Sequence, residues 1–237
     1  MTAFRSIYNR CLSLIHIKRR CFIEPHDIPT STPLSISYAI TVFNEAQALR
    51  HLLDTLIPAL KSGDEIVIQA DKDNVTEEVK QVVKQYRSAI TTYDEYSLNF
   101  DFGKAKNHLN SLCKGSYIFQ LDADELPQPY LLQHLSDLLV ANGVELMKVP
   151  RINLFERNGI VEKNREAWPD YQGRIYRNLP DRIAWHRPLH ERIKGHKSYT
   201  YLPKNDDYAI LHIKNFEQNR VKWQHFQQRQ VARQNEQ

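Results

Sequence analysis

The stretch Tyr117-Ile118-Phe119-Gln120-Leu121-Asp122-Ala123-Asp124-Glu125 runs mostly apolar and then ends in two carboxylates spaced i, i+2, with a third behind them. Such a run reads as a buried strand. Residues i and i+2 of an extended chain point to the same side, so Asp122 and Asp124 would repel each other unless a cation lay between them. A hard divalent ion that also grips substrate phosphates suits such a pair. Taken alone, the same residues also describe a solvated turn after a strand.

Three further groups could do chemistry. The stretch Trp185-His186-Arg187-Pro188-Leu189-His190-Glu191-Arg192 packs an aromatic, two histidines, a glutamate and two arginines into eight residues. His190-Glu191 can supply a general base or a metal ligand; Trp185 can stack on a sugar ring or serve as a core aromatic. Leu211-His212-Ile213 sets a histidine in an apolar strand, as a hydrogen-bonded structural group or as a further metal ligand. Phe100-Asp101-Phe102-Gly103-Lys104-Ala105-Lys106-Asn107 is a helix entrance carrying two lysines, which suits a diphosphate. Solvated surface lysines are the alternative.

The elements that must position these groups alternate. Ile36 to Val42 reads as a strand, Asn44 as an N-cap, and Leu49, Leu52, Leu53, Leu56, Ile57 and Leu60 as a helical stripe. A strand at Glu65 to Ala70, a polar loop at Asp71 to Asn74 and a stripe of Val75, Val79, Val82, Val83 and Tyr86 follow. Ala89 to Tyr93 is a third strand, Ala105, His108, Leu109 and Leu112 mark a third helix, and the Tyr117 strand closes the series. This βαβαβαβ order implies an α/β fold with a mostly parallel sheet. Loops at the carboxyl ends of its strands converge on one edge. They carry Thr41, Asn44 and Glu45, then Asp71 and Asp73, then Asp122 and Asp124. A carboxylate after the second strand commonly reads a base or ribose, with helix capping as the alternative for Asp73 and Asn74.

After Pro127 come a helix with Leu131, Leu132, Leu135, Leu138 and Leu139 on its buried face and a strand near Val144 to Val149. The chain then turns rich in Arg, Tyr, Trp, His and Asn, with short strands at Arg174 to Arg177 and Ile210 to Lys214, as loops around a site would be. The stretch from Phe216 reads as a polar helix. Residues 1–34 stand apart: Phe4, Ile7, Tyr8, Cys11, Leu12 and Ile15 share one helical face of a docking helix, followed by a Pro/Thr/Ser linker. The division is thus 1–34, a nucleotide-binding half over 35–125 and an acceptor-binding half with the C-terminal helix over 126–237. The last two form one domain.

The chain of 237 residues has a formal net charge of +4, too weak to argue for nucleic acid. Lys18-Arg19-Arg20 and the residues after Lys214 suit either an anionic membrane surface or a solvated face. Three cysteines without metal-ligand spacing suit free thiols in a reducing compartment. No apolar run is long enough to span a bilayer. The expectation is a cytoplasmic protein, with peripheral contact at the inner face of the membrane left open.

The succession Ile40-Thr41-Val42-Phe43-Asn44-Glu45, Asp71, Gly103-Lys104-Ala105-Lys106-Asn107 and Leu121-Asp122-Ala123-Asp124-Glu125 resembles the family 2 glycosyltransferases. Pro169-Asp170-Tyr171-Gln172-Gly173-Arg174-Ile175-Tyr176-Arg177-Asn178, Ile183-Ala184-Trp185, Leu189-His190-Glu191 and Leu211-His212-Ile213-Lys214 extend the likeness to a subgroup of bacterial envelope-polysaccharide enzymes and viral relatives. The resemblance covers about residues 34 to 220. It implies the GT-A fold, a three-layer Rossmann-like architecture with a loop-rich C-terminal acceptor region. It also implies inverting transfer from a UDP- or other NDP-sugar to a hydroxyl of a glycan, lipid-linked or protein-linked acceptor, with Mn²⁺ or Mg²⁺. By position, Thr41, Asn44, Glu45 and Asp71 (or Asp73) would line the nucleoside pocket, and Lys104 and Asn107 would lie near ribose or phosphate. Asp122 would contact ribose or the metal's waters, and Asp124 would ligate the metal with His212 as an extra ligand. Glu191 would be the base, beside Trp185 and His190 on the acceptor side. The loop Gln69-Ala70-Asp71-Lys72-Asp73-Asn74 departs from the family's usual pair of acids followed by Gly-Ser.

Two other classes fit parts of the pattern. A nucleotidyltransferase can share the sheet and its carboxylates, but would carry a Gly-rich basic loop after the first strand, absent from Val42-Phe43-Asn44-Glu45. A non-catalytic sugar-nucleotide or carbohydrate-binding module is the other; Asp122, Asp124 and Glu191 together argue against it.

Overall fold

The computed structural model describes residues 17–25, 34–157, 160–164 and 168–215. The expected docking helix and the C-terminal polar helix lie outside them. The described chain opens with a two-residue strand, β1 (Lys18–Arg19), and proceeds through β2 (Ile36–Val42), α1 (Ala46–Leu56), β3 (Glu65–Asp71), α2 (Glu77–Gln85), β4 (Thr92–Tyr96), α3 (Phe102–Leu112) and β5 (Tyr117–Asp122). Strands β5, β2, β3 and β4 lie side by side in that order, all parallel. β2 and β3 are covered on both faces, which is why their sequences are nearly continuous apolar runs rather than alternations.

The second half extends the same sheet. β6 (Glu125–Pro127) leads into α4 (Pro129–Asn142), then β7 (Leu146–Arg157), β8 (Ile160–Asn164) and β9 (Asp170–Arg177). β9 inserts antiparallel between β5 and β7. A separate hairpin, β10 (Ala184–His186) with β11 (Arg192–Lys194), precedes β12 (Ser198–Tyr201) and β13 (Ile210–Asn215). β12 and β13 both pair parallel with β7, while β13 also pairs with β6.

The sheet separates two apolar layers. Leu49, Leu52, Leu53 and Leu56 of α1, Val79 and Val82 of α2, and Leu131, Leu135 and Leu138 of α4 pack on one face. Burying each leucine contributes about 1.5–3 kcal/mol. On the other face, Leu109 and Cys113 meet Ile118, Leu146, Tyr176, Trp185 and Ile193, so α3 and the β10–β11 hairpin form the third layer. Glycines allow two close approaches there. A Cβ on Gly103 would lie 2.6 Å from the Arg187 carbonyl, and Gly195, at φ +89°, would place one 1.8 Å from the Arg182 carbonyl.

Several boundaries differ from those expected. The third strand is Thr92–Tyr96, beginning after the turn that contains Ala89. The strand expected to end at Val149 continues to Arg157, because β8, β9 and β13 all pair with it. Asp71 ends β3 rather than opening the loop. The cap of α2 is Thr76, whose hydroxyl accepts from the Val79 amide, not Asp73 or Asn74. α1 starts at Ala46, with Glu45 rather than Asn44 at the N-cap position.

Candidate active site

β9 carries one residue too many for its pairing. Met147 faces Ile175 and Lys148 faces Gly173, so Arg174 is the unpaired extra residue. A bulge of this kind re-aims a side chain. Here it sends the buried Arg174 guanidinium to Asp122 Oδ2 at 2.7 Å and Glu125 Oε1 at 2.5 Å. Glu125, fully buried, also accepts from Arg151 at 3.1 Å, and Arg151 binds Asp170 through two nitrogens at 2.9 and 2.7 Å. Burial alone would raise the Asp122 carboxyl. The charges of Arg174 and Lys106 and the Thr41 hydroxyl, 2.8 Å from Oδ1, together hold it far below the usual carboxylate range.

Asp122, expected to contact ribose or a metal's waters, has both oxygens engaged by protein groups, Oδ1 by Thr41 and Oδ2 by Arg174, so the guanidinium offsets the charge at the end of β5. Asp170 is held low in the same way, its burial outweighed by Arg151, Asn153 and Gln172.

The other arm of the chain of charges reaches the hairpin. Lys106 is buried, with Nζ 2.5 Å from Glu191 Oε1, 3.9 Å from Asp122 Oδ1 and 4.7 Å above the Trp185 ring. Asn107 clamps the hairpin, donating to the Trp185 carbonyl at 2.9 Å and accepting from its amide at 2.8 Å. The Phe102 amide donates to the Pro188 carbonyl at 3.0 Å. Asn107, expected near ribose, therefore spends its amide on orienting the hairpin. Trp185 is 7% exposed and its indole N–H donates to Tyr176, which matches the core role held open for it. His190 is exposed at φ +52° and Arg187 lies at φ +78°, so two non-glycine residues hold the left-handed conformation at the hairpin tip.

Asp124 and His212 meet on the far side, Oδ2 to Nε2, at 3.6 Å. Asn153 orients the imidazole. Its Nδ2 donates to Asp170, so its Oδ1 accepts from His212 Nδ1 at 2.9 Å. In the neutral ring the Nε2 lone pair then faces a carboxylate, and a proton or a cation must reconcile them. Ligand distances of about 2.0–2.2 Å to nitrogen and oxygen are compatible with one ion touching both. Among the described residues no group of three or more His, Cys, Asp or Glu side chains could hold a metal, so this pair fits an ion whose remaining ligands are water and substrate oxygens.

The residues expected at the nucleoside are gathered at the same edge. Glu45 is buried and accepts from the Phe43 and Asn44 amides at 2.8 and 3.1 Å, shaping the turn after β2. Asn44 keeps a buried Oδ1 that no described residue reaches. Asp71 fastens the next loop, accepting from Asn74 Nδ2 at 2.7 Å, while Asp73 accepts from Ser97 at 3.4 Å. Lys104 is exposed and pairs with Asp101 at 3.4 Å. It lines a cleft of about 580 Å³ with Tyr96, Phe100 and Pro188, which includes none of Asp122, Asp124 or Glu191.

The sequence reading left Arg174, Arg151, Asp170 and Asn153 without roles and saw Lys106 only as half of a lysine pair. One signal was available: Lys106, Leu109 and Asn110 stand at i, i+3, i+4 and share a helix face, which puts a lysine on the buried side of α3.

The family model described as Glycosyl transferase family 2 matches residues 37–193, spanning every element from β2 to β11. No curated protein sequence matches. Among solved structures, S. aureus TarS 1-349 in complex with UDP is similar at TM-score 0.56 and 16% identity, over 76% of this chain and 61% of that one. The same TarS segment in complex with UDP-GlcNAc gives TM-score 0.56 and 16% identity over 76% and 59%. Mannosyltransferase PcManGT from Pyrobaculum calidifontis, in complex with GDP-Man and Mn²⁺, follows at TM-score 0.43 and 20% identity over 54% and 39%. The chain thus spans about three-fifths of the TarS segment. With the sheet order, the hairpin layer and a family match over most of the described residues in agreement, the chain belongs to the family 2 glycosyltransferases and has their GT-A fold.

Proposed function

We propose that this glycosyltransferase moves a sugar from an NDP-sugar, UDP being the favoured nucleotide, to a hydroxyl of a glycan or glycoconjugate with inversion at C1. The observation that carries the reading is a division among the acids. Asp122 and Glu125 are locked to arginine, whereas Asp124 Oδ1 and Glu191 Oε2 accept no hydrogen bond from any described residue. Those two oxygens are available for donor-side and acceptor-side chemistry. The TarS complexes with UDP and UDP-GlcNAc support the choice of donor class.

Thr41, Asn44, Asp71 and Asp73 border the nucleoside. Asp124 and His212 would hold Mn²⁺ or Mg²⁺, and a bound divalent ion neutralises charge on the departing diphosphate. Glu191, oriented by Lys106, takes the proton of the acceptor hydroxyl as its oxygen bonds to C1. The bond from C1 to the phosphate oxygen breaks with its electron pair leaving on the NDP. General-base help of this kind contributes typically about 10²–10⁴-fold. The test is a panel of NDP-sugars incubated with and without Mn²⁺, with NDP release followed in the absence of acceptor. One donor should be hydrolysed slowly and metal-dependently. Failure of the folded protein to take up any such nucleotide would overturn the proposal.

A further inference from the structure

The charge of this chain is concentrated around Glu191. Between Arg182 and Lys197 stand five Arg or Lys residues and three histidines against one acid, Glu191 itself. The whole chain carries 32 basic and 28 acidic residues, so the excess in this stretch equals the excess of the entire protein and the remainder balances. Arg182 is neutralised by Glu145 at 2.6 Å. Arg187, Arg192 and Lys194 are exposed, and no described residue pairs with them. The site's interior cations, Lys106, Arg151 and Arg174, are by contrast all matched to carboxylates.

The hairpin fixes where these charges point. Ile193 faces inward against Gly173 and Leu146, so Arg192 and Lys194, one residue to either side, face out. His186 is the register partner of Arg192 and is exposed with it. The tip is held against α3 by the Phe102–Pro188 bond, and both feet are tied to Glu145, which binds the Arg182 guanidinium and accepts from the Lys197 amide at 2.5 Å. Unpaired cations on a braced element cost little ordering when an anion arrives, and their shared potential raises the local concentration of anionic ligands.

We infer that the acceptor is an anionic glycan, bearing phosphate or carboxylate groups that Arg187, Arg192 and Lys194 engage while Glu191 receives the hydroxyl proton. This rests on the glycosyltransfer reading, because only that reading puts the acceptor beside Glu191.

The experiment compares three glycan probes for binding to the full chain at low and moderate salt: a hyaluronan hexasaccharide (carboxylates), a mannopentaose phosphate (phosphate) and neutral maltohexaose. Backbone amide shifts report the location. The anionic probes should bind at least about tenfold tighter than the neutral one, weaken with salt, and shift amides of residues 187–194. R192Q/K194Q should lose roughly tenfold in affinity for them. The equally charge-reduced K18Q/R20Q, in the β1 segment, should lose less than about twofold. Preference between the two anionic probes distinguishes phosphate from carboxylate.

Equal binding of the neutral glycan overturns the inference, as does equal loss in both variants, which would mean diffuse attraction. So does hairpin-dependent capture by anionic phosphatidylglycerol vesicles without glycan binding, which would make the strip a membrane contact. Donor uptake by the unaltered protein is measured separately. Its failure falls on the glycosyltransfer reading, whereas intact donor uptake with no anionic preference falls on this inference alone.

Discussion

Lys106 Nζ and Glu191 Oε1 lie 2.5 Å apart although 85 residues separate them in the chain. The pair joins α3 to the hairpin that carries the candidate base. Lys106 is buried and also faces Asp122, so it fixes where the Glu191 carboxylate sits relative to that second acid.

Removing the cation separates this positioning from mere packing. Lys106→Met should lower kcat roughly ten- to hundredfold with donor affinity nearly unchanged, because the Glu191 carboxylate loses the group that orients it. Lys106→Arg should restore most of the turnover. Unchanged kcat in a folded Lys106→Met protein would limit the lysine to a structural role.

Glu191→Gln keeps the shape and removes the base. Turnover should fall by about 10²–10⁴-fold with donor affinity nearly intact. Lost donor affinity with retained turnover would reassign the residue.

Asp124→Ala and His212→Gln act on the donor side. Each should weaken Mn²⁺-assisted nucleotide binding by calorimetry, by about tenfold or more, while leaving metal-free nucleotide binding alone. An unchanged Mn²⁺ titration in both variants would place the ion elsewhere.

Arg174→Met tests the interior of the charge chain. It strands Asp122 and Glu125 without their shared cation, and breaking a buried pair from one side typically costs about 3–5 kcal/mol. Denaturant unfolding should show a loss of that order. A change below about 1 kcal/mol would mean that the two carboxylates find other partners.

Strong acid should loosen the hairpin's feet. The Arg182 hydrogen bonds, opposed by burial and aided by the Lys197 amide, hold the Glu145 carboxyl at about 2, against an ordinary 4.5. A depressed folded value means stabilisation fully present above pH 4.5 and lost as pH falls through about 2. Glu145→Gln should therefore lower stability at neutral pH, by about 1–2 kcal/mol after solvent screening, and flatten the acid dependence between those limits. An acid-unfolding curve unchanged in slope would remove Glu145 from that account.

The parallel half was legible because burial on both faces leaves runs of one character. The exact span of β2 and the stripes of α1 and α2 follow from Ile36 to Val42, Leu49 to Leu56 and Val79 to Val83. β4 was displaced because all its residues are half-buried and Tyr93-Asp94-Glu95 carries no apolar run. Of the proposed site, Asp124, Glu191 and His212 stand out in the sequence because their residue types can do chemistry. The charges between them do not, since Arg174 and Arg151 gain their meaning only from partners some 20 to 50 residues away. Asp122 is the example: its arginine partner lies 52 residues further along the chain.

The bulge at Arg174 makes the number of residues in β9 as informative as their kind. Upstream of it, Gly173 faces Lys148; downstream, Ile175 faces Met147, and the extra position between them sets the parity on each side. Deleting one residue there would exchange inward and outward positions along Asp170 to Gly173. A graft into this strand must therefore keep the spacing from Asp170 to Arg177, and with it the pairing of Asp170 with Arg151.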